Sequence, residues 1–168
     1  SSAVYVVMAR TGEPGPKGIS AIVVPADTPG LSFGPNEKKM GWNAQPTRQV
    51  IFEDVRVPVS NRLGAEGDGF GIAMRGLNGG RVNMGAVSLG GAQWALERTL
   101  AYVQEREAFG GPLASHQTIV FALADMETDL QAARALLQRA AEKMDTDAPD
   151  VVAACAMAKR FATDAAFR

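Results

Sequence analysis

The sequence predicts an α+β fold: part of an antiparallel β-domain, followed by the start of an up-and-down α-helical bundle. Three observations carry this. Residues 1–68 hold 7 of the 9 prolines but 6 alanines, whereas residues 69–168 hold 2 prolines and 22 alanines. Short β-branched runs punctuated by turn residues fill the first part. Apolar residues at steps of three and four fill the second. Charge does not follow this division, since 7 basic and 7 acidic residues precede Gly69 and 10 and 11 follow it. The change is therefore one of backbone preference.

Val4-Tyr5-Val6-Val7-Met8 reads as a first strand, and Thr11 to Gly18, with Pro14 and Pro16, as the loop that ends it. Ile19 to Val24 gives a second strand, stopped by Pro25. In Asp27-Thr28-Pro29-Gly30, Pro29 presets φ for the first central turn position and Gly30 takes the positive φ of the second. A third strand is expected from Arg48 to Val57, with Val50 and Phe52 on one face and Ile51 on the other. Three such strands are a fragment of a sheet whose edges want partners.

Gly64-Ala65-Glu66-Gly67-Asp68-Gly69 lacks the lysine–serine pair and the strand–helix setting of a phosphate loop, so it reads as the hinge between the halves. From about Phe70 to Gln104, Val82, Ala86, Leu89, Ala92, Leu96, Leu100 and Val103 mark one apolar helix face. Gly85, Gly90 and Gly91 are costly inside a helix and are expected to permit close packing. Gly110-Gly111-Pro112 breaks this helix, and Ser115 is the expected N-cap of the next. There Ile119, Leu123, Met126, Leu130, Ala133, Leu137, Ala140 and Met144 form a heptad-like seam suited to a bundle. A third helix is expected from about Ala148, behind Asp147, Pro149 and Asp150.

A net charge of -1 argues against a nucleic-acid coat or a polybasic membrane anchor. No apolar run approaches the roughly 20 residues of a membrane span. One cysteine makes no internal disulfide, and His116 with Cys155 is too small a set for a metal site. Cys155 reads as a small core residue. A histidine-centred triad would have only His116, with no nucleophile motif around it. A start at Ser1 and an end at Arg168 inside a helical pattern point to a piece of a longer protein.

Two clusters carry candidate chemistry. Arg106, at the end of the first long helix, could hold a phosphate or pyrophosphate bidentately with Phe109 beside it. The alternative is a helix-terminal cation favoured by the dipole, with Phe109 folded onto the core. His116 and Gln117, opening the next helix, could reach a ligand at the same junction, or be a capping histidine and an exposed polar residue. In Asn78-Gly79-Gly80-Arg81, adjacent glycines suggest close approach of a backbone or ligand and Arg81 could bind an anionic group. Glycines relieving a helix crossing, with Arg81 in an ion pair, is the other reading.

Taken in order, these pieces resemble the acyl-CoA dehydrogenase family over essentially the whole chain. Gly41-Trp42-Asn43, Thr47-Arg48 and Val50-Ile51-Phe52-Glu53-Asp54-Val55-Arg56-Val57-Pro58 look like the signature of its middle β-domain. Gly67-Asp68-Gly69-Phe70 resembles the hinge into its C-terminal helical domain. Arg106 with Phe109-Gly110, Pro112-Leu113 and Gln117 resembles its flavin-contact motif, and Leu123-Ala124-Asp125-Met126 continues the match. Residues 1–68 would then be the C-terminal part of the middle β-domain, and residues 69–168 the N-terminal part of the helical bundle domain. Gly76-Leu77-Asn78-Gly79-Gly80-Arg81 and Trp42 to Arg48 look most like the isobutyryl-CoA dehydrogenase branch, which oxidises a short branched acyl-CoA in valine breakdown.

The resemblance implies a flavin mechanism. A glutamate takes a proton from the acyl α-carbon while the β-hydrogen passes as hydride to FAD, giving a 2-enoyl-CoA, and electrons leave through an electron-transferring flavoprotein. By the same resemblance Arg106, Phe109 and Gln117 bind cofactor, with Arg106 reaching the FAD of a neighbouring subunit near its pyrophosphate, and His116 is expected to join them from its place beside Gln117 at the helix N-terminus. Asn78, Gly79, Gly80 and Arg81 bind the acyl-CoA. Ala108 stands where many relatives carry a threonine or glutamine. The catalytic glutamate that some branches place before the arginine is Gly80 here, so no catalytic residue is assigned and the base is expected downstream of Arg168. The N-terminal helical domain and the segment that holds the isoalloxazine are also outside the chain, so the fragment is expected to be inactive and to bind free FAD poorly. A homotetramer, as a dimer of dimers, is implied, in the cytoplasm of a bacterium or the mitochondrial matrix of a eukaryote. Acyl-CoA oxidase or nitroalkane oxidase chemistry on the same scaffold stays open, as does a non-catalytic helical oligomerisation module.

Overall fold

The computed structural model describes residues 2–168. The chain forms two compact units, Ser1–Met74 and Arg75–Arg168.

In the first unit, β1 (Val4–Arg10) pairs antiparallel with β2 (Ile19–Pro25), Val4 opposite Pro25 and Arg10 opposite Ile19. Tyr5, Val7 and Ala9 face inward, while Val4, Val6 and Met8 lie exposed on the other face. β2 is the central strand and holds the buried Ser20, Ala21 and Val24. Ser20 stays satisfied because its hydroxyl bonds Thr11 Oγ1 at 2.7 Å and accepts the Gly67 amide at 3.1 Å. The turn before β3 (Leu31–Phe33) closes through the Leu31 amide on the Thr28 carbonyl, with Gly30 at φ +84, as its Pro-Gly sequence requires.

Two features of this unit depart from the sequence reading. The strand expected over residues 48–57 is only β4 (Val50–Phe52), and it pairs with β3 in a separate two-stranded sheet. It ends because Glu53 is tied to Gly30 and Asp54 turns left-handed at φ +52. The third strand of the main sheet is instead β5 (Arg62–Leu63), beside β2. Two residues give no periodicity, so the sequence carries no signal for it. The glycine-rich segment after β5 is packed closely rather than open. A Cβ on Gly69 would lie 2.5 Å from the Ser20 carbonyl carbon, so only glycine lets the helix start against β2.

The second unit is built from α1 (Gly69–Glu105), whose first turns belong to the first unit, α2 (Gln117–Asp145) and α3 (Val151–Phe167). Its core gathers Leu89, Leu96, Leu130, Ala133, Leu137, Ala140, Ala154, Cys155, Ala158 and Ala162. Small residues on α3 bring it close to α2. The α1 seam runs through Val82, Gly85, Leu89, Ala92, Leu96 and Val103, whereas Ala86 and Leu100 are exposed. Gly85 takes the place expected of Ala86 because a Cβ there would meet Leu137. Gly90 and Gly91, expected to permit close packing, face open space. The α2 seam is buried from Leu130 to Ala140, and Met126 is exposed.

Both expected helix starts differ. The Ser115 hydroxyl donates to the Pro112 carbonyl, and His116 is the N-cap of α2 with no side-chain cap bond. α3 starts at Val151 rather than Ala148, since Asp147 is left-handed at φ +49. Its N-cap, Asp150, makes no cap bond because its carboxylate receives the Lys143 ammonium across the α2–α3 turn. That hydrogen bond and charge hold the Asp150 carboxyl below the usual carboxylate range. No described helix is long and apolar enough to cross a membrane.

Candidate functional site

Between α1 and α2 the chain makes a miniature hairpin, β6 (Glu107–Ala108) with β7 (Gly111–Pro112). Its two loop residues are Phe109 at φ +55 and Gly110 at φ +93, the positive pair that a tight primed turn demands. Glycine takes this conformation freely, but a bulky residue in it stores strain of roughly 1–2 kcal/mol. Phe109 is nevertheless 93% exposed. The reading in which it folds onto the core is therefore wrong: a strained turn lifts an aromatic ring into solvent.

The same hairpin gathers the neighbouring candidates. Arg106 ends α1 through its amide on Tyr102, and its carbonyl accepts the Leu113 amide at 2.8 Å, fixing the backbone beneath its side chain. The guanidinium is exposed and meets no carboxylate among the described residues. His116 Nε2 donates to the Ala108 carbonyl at 3.1 Å, and its ring meets Phe109 edge-on with centroids 6.1 Å apart. Gln117 follows as the first helical residue of α2, exposed. The structure thus groups Arg106, Phe109, His116 and Gln117 around one short turn. A free fork of N–H donors, an amide side chain at a helix N-terminus and an exposed ring suit a phosphate-bearing ligand with an aromatic or ribosyl part. These residues fit the phosphate half of a dinucleotide such as FAD. Sequence reasoning missed the left-handed Phe109, although Phe-Gly between two short pairing segments is its trace.

The second cluster lies on α1. Asn78 is buried, and its Oδ1 accepts from Arg81 Nη1 at 2.7 Å, one turn along the helix. Arg81 is half-buried and is in no ion pair among the described residues, so four of its five donors stay available. A Cβ on Gly79 would make ordinary contact with Met144 at 3.7 Å, whereas Gly80 faces open space. The glycine pair thus eases no tight crossing, and Gly80 leaves room beside Arg81.

The structure does not bring the two clusters together. Asn78 and Arg106 stand 28 positions apart on and at the end of one helix, or about 40 Å at 1.5 Å per residue. One small ligand cannot touch both within a single chain. Among the described residues no group of three or more histidine, cysteine or carboxylate side chains could hold a metal ion.

The family model described as acyl-CoA dehydrogenase, C-terminal domain, matches residues 67–168, and that described as acyl-CoA dehydrogenase, middle domain, matches residues 1–55. Mitochondrial isobutyryl-CoA dehydrogenase of Bos taurus is 54% identical over 164 residues, covering 98% of this chain and 39% of that protein. The structure of butyryl-CoA dehydrogenase from Megasphaera elsdenii superposes with a TM-score of 0.91 at 42% identity, covering 98% of this chain and 43% of that one. A chain in the structure of the electron transferring flavoprotein of Acidaminococcus fermentans does so with a TM-score of 0.90 at 44% identity, over 98% and 43%. The chain spans about two fifths of the length of the curated relatives it matches.

Proposed function

Given that this chain belongs to the acyl-CoA dehydrogenase family, we propose that it forms the cofactor-contacting middle of a flavin-dependent enzyme that dehydrogenates a short branched acyl-CoA, isobutyryl-CoA-like, to the 2-enoyl-CoA. In this reading residues 1–68 close the middle β-domain and residues 69–168 open the helical bundle. The single observation that carries it is the hairpin at the end of α1, which holds the unpaired Arg106 and the strained, exposed Phe109 beside Gln117.

Bound FAD would supply the hydride acceptor. The residues of this chain bind and orient. Arg106 offers parallel N–H donors to the pyrophosphate oxygens, charge-assisted and geometrically selective. Gln117 adds an amide donor where the α2 N-terminus favours anionic oxygen. Phe109 covers an apolar face of the ligand and excludes water from it. At the other end of α1, Arg81 holds a polar part of the acyl-CoA while Asn78 fixes its guanidinium, and Gly80 leaves the acyl chain space. The general base lies outside this chain.

The separation of about 40 Å between the clusters supports assembly. A second copy would bring its Arg106 hairpin to the flavin that serves the first copy's Arg81 region. This supports a homodimeric unit, paired again into a tetramer. Electrons would pass to an electron-transferring flavoprotein. Arg106→Ala in the complete polypeptide tests the assignment. The exposed side chain has no partner among the described residues, so its loss leaves stability unchanged and weakens FAD binding by about 10–100-fold, the cost of one charged hydrogen-bonded contact. Wild-type flavin occupancy in the variant overturns the reading.

A further inference from the structure

We infer that His116 is a positioning residue for the flavin-contacting hairpin, one that sets Arg106, Phe109 and Gln117 in register through its bond to Ala108; this rests on the flavin reading above. The Ala108 carbonyl can only accept, so the 3.1 Å contact requires the proton on Nε2. Through this bond the first strand of the hairpin is tied to the residue that starts α2. The His116 carbonyl accepts the amides of Ile119 and Val120, and its own amide donates to Leu113. One residue therefore begins the helix that carries Gln117 and holds the strand that lies between Arg106 and Phe109.

The hairpin needs such a tie. It consists of two residue pairs, Glu107 with Pro112 and Ala108 with Gly111. Pro112 has no N–H, so the outer pair lacks one donor, and a ribbon this short is not stable alone. It must also hold Phe109 in a left-handed conformation. Two side chains brace it: the Ser115 hydroxyl holds the second strand at Pro112, and the His116 ring holds the first at Ala108. The same ring meets Phe109 in a T-shaped pair, limiting where the exposed phenyl can swing.

Three substitutions in the complete polypeptide separate the N–H from the ring, with apoprotein reconstituted with FAD and its dissociation constant measured. Gln carries an N–H as many bonds from Cβ as Nε2 does, while Phe keeps a ring and loses the donor. His116→Ala and His116→Phe are expected to weaken FAD about fivefold, the worth of one ordinary hydrogen bond, and His116→Gln to return within about twofold of wild type. If the alanine variant does not fold, the Gln and Phe pair carries the same comparison. Rescue by Gln but not Phe supports positioning through Ala108, because a general packing role would favour Phe. Equal affinity across the set, or rescue by Phe alone, overturns the inference. Arg106→Ala, run alongside, distinguishes the two failures. If it loses FAD while the His116 set is unchanged, only the positioning role falls; if it keeps wild-type affinity, the flavin reading falls.

Discussion

Gly85→Ala tests the helix packing at one atom. Gly85 is buried on α1, and a Cβ there would lie 2.6 Å from Leu137 Cδ2 and 3.5 Å from the Ala162 Cβ. Ordinary contact begins at 3.4 Å, so Leu137 would have to retreat by 0.8 Å inside a core where it is 7% exposed. Two effects compete. Alanine is better than glycine in a helix by about 1 kcal/mol. Forcing an extra methyl into a filled core costs about 1–3 kcal/mol. The second wins, leaving Gly85→Ala between neutral and about 2 kcal/mol less stable. Gly90 and Gly91 are the internal control. A Cβ at either meets nothing within 4 Å, so each alanine gains the propensity alone, about 1 kcal/mol. Urea unfolding of this chain followed by helical circular dichroism should separate Gly90→Ala from Gly85→Ala by about 1 M in midpoint, at a slope of about 1–3 kcal/mol per molar. The double variant Gly85→Ala with Leu137→Ala should lose less than the sum of its parts, since the clash is gone. A Gly85→Ala variant as stabilised as Gly90→Ala would refute the close crossing of α1 and α2.

Other outcomes follow from single sites. Leu130→Ala, in the core at 4% exposure, should cost about 2–5 kcal/mol, read as the same midpoint shift. Phe109→Gly should relieve the left-handed turn and stabilise the hairpin by about 1 kcal/mol while weakening FAD binding, so stability and cofactor affinity move in opposite directions. Because the folded-state pKa of Asp150 is lowered by Lys143, the stability it contributes is present above the ordinary carboxylate pKa and is lost as pH falls through the lowered folded value. Asp150→Asn should therefore unfold at a more nearly constant midpoint between pH 5 and pH 2 than wild type does, checked by thermal melts across that range. Cys155, fully buried, should react with a thiol reagent only on unfolding, with a rate that rises with urea.

The sequence made the helical half largely legible because bundle packing imposes a period. Leu130, Ala133, Leu137 and Ala140 sit where the heptad puts them. It misplaced the α1 face at Ala86 and Leu100, since a glycine in a seam carries no hydrophobic signal and only the facing Leu137 explains it. In the β-half, Pro29-Gly30 declared its turn, because proline and glycine fix φ locally. β5 stayed hidden because two residues are held in place by a partner strand far away in sequence. The candidate site shows the same division. Arg106, Phe109 and Gln117 were readable as residue types in order, whereas the strain at Phe109 and the bond from His116 to Ala108 depend on a fold-back that propensity does not describe. Likewise Asp150 was readable as an acidic residue at a helix start, whereas the Lys143 ammonium on its carboxylate depends on the α2–α3 turn.

In the proposed function this chain supplies one face of a flavin site to an enzyme acting on a short branched acyl-CoA. Anaerobic titration of the complete, flavin-loaded polypeptide with isobutyryl-CoA, followed through the flavin absorbance, tests it most directly. Bleaching by isobutyryl-CoA, faster than by straight-chain butyryl-CoA, is expected, as is its loss together with the flavin in Arg106→Ala. A protein that purifies without flavin and takes none up, or holds flavin that neither thioester bleaches, would contradict it.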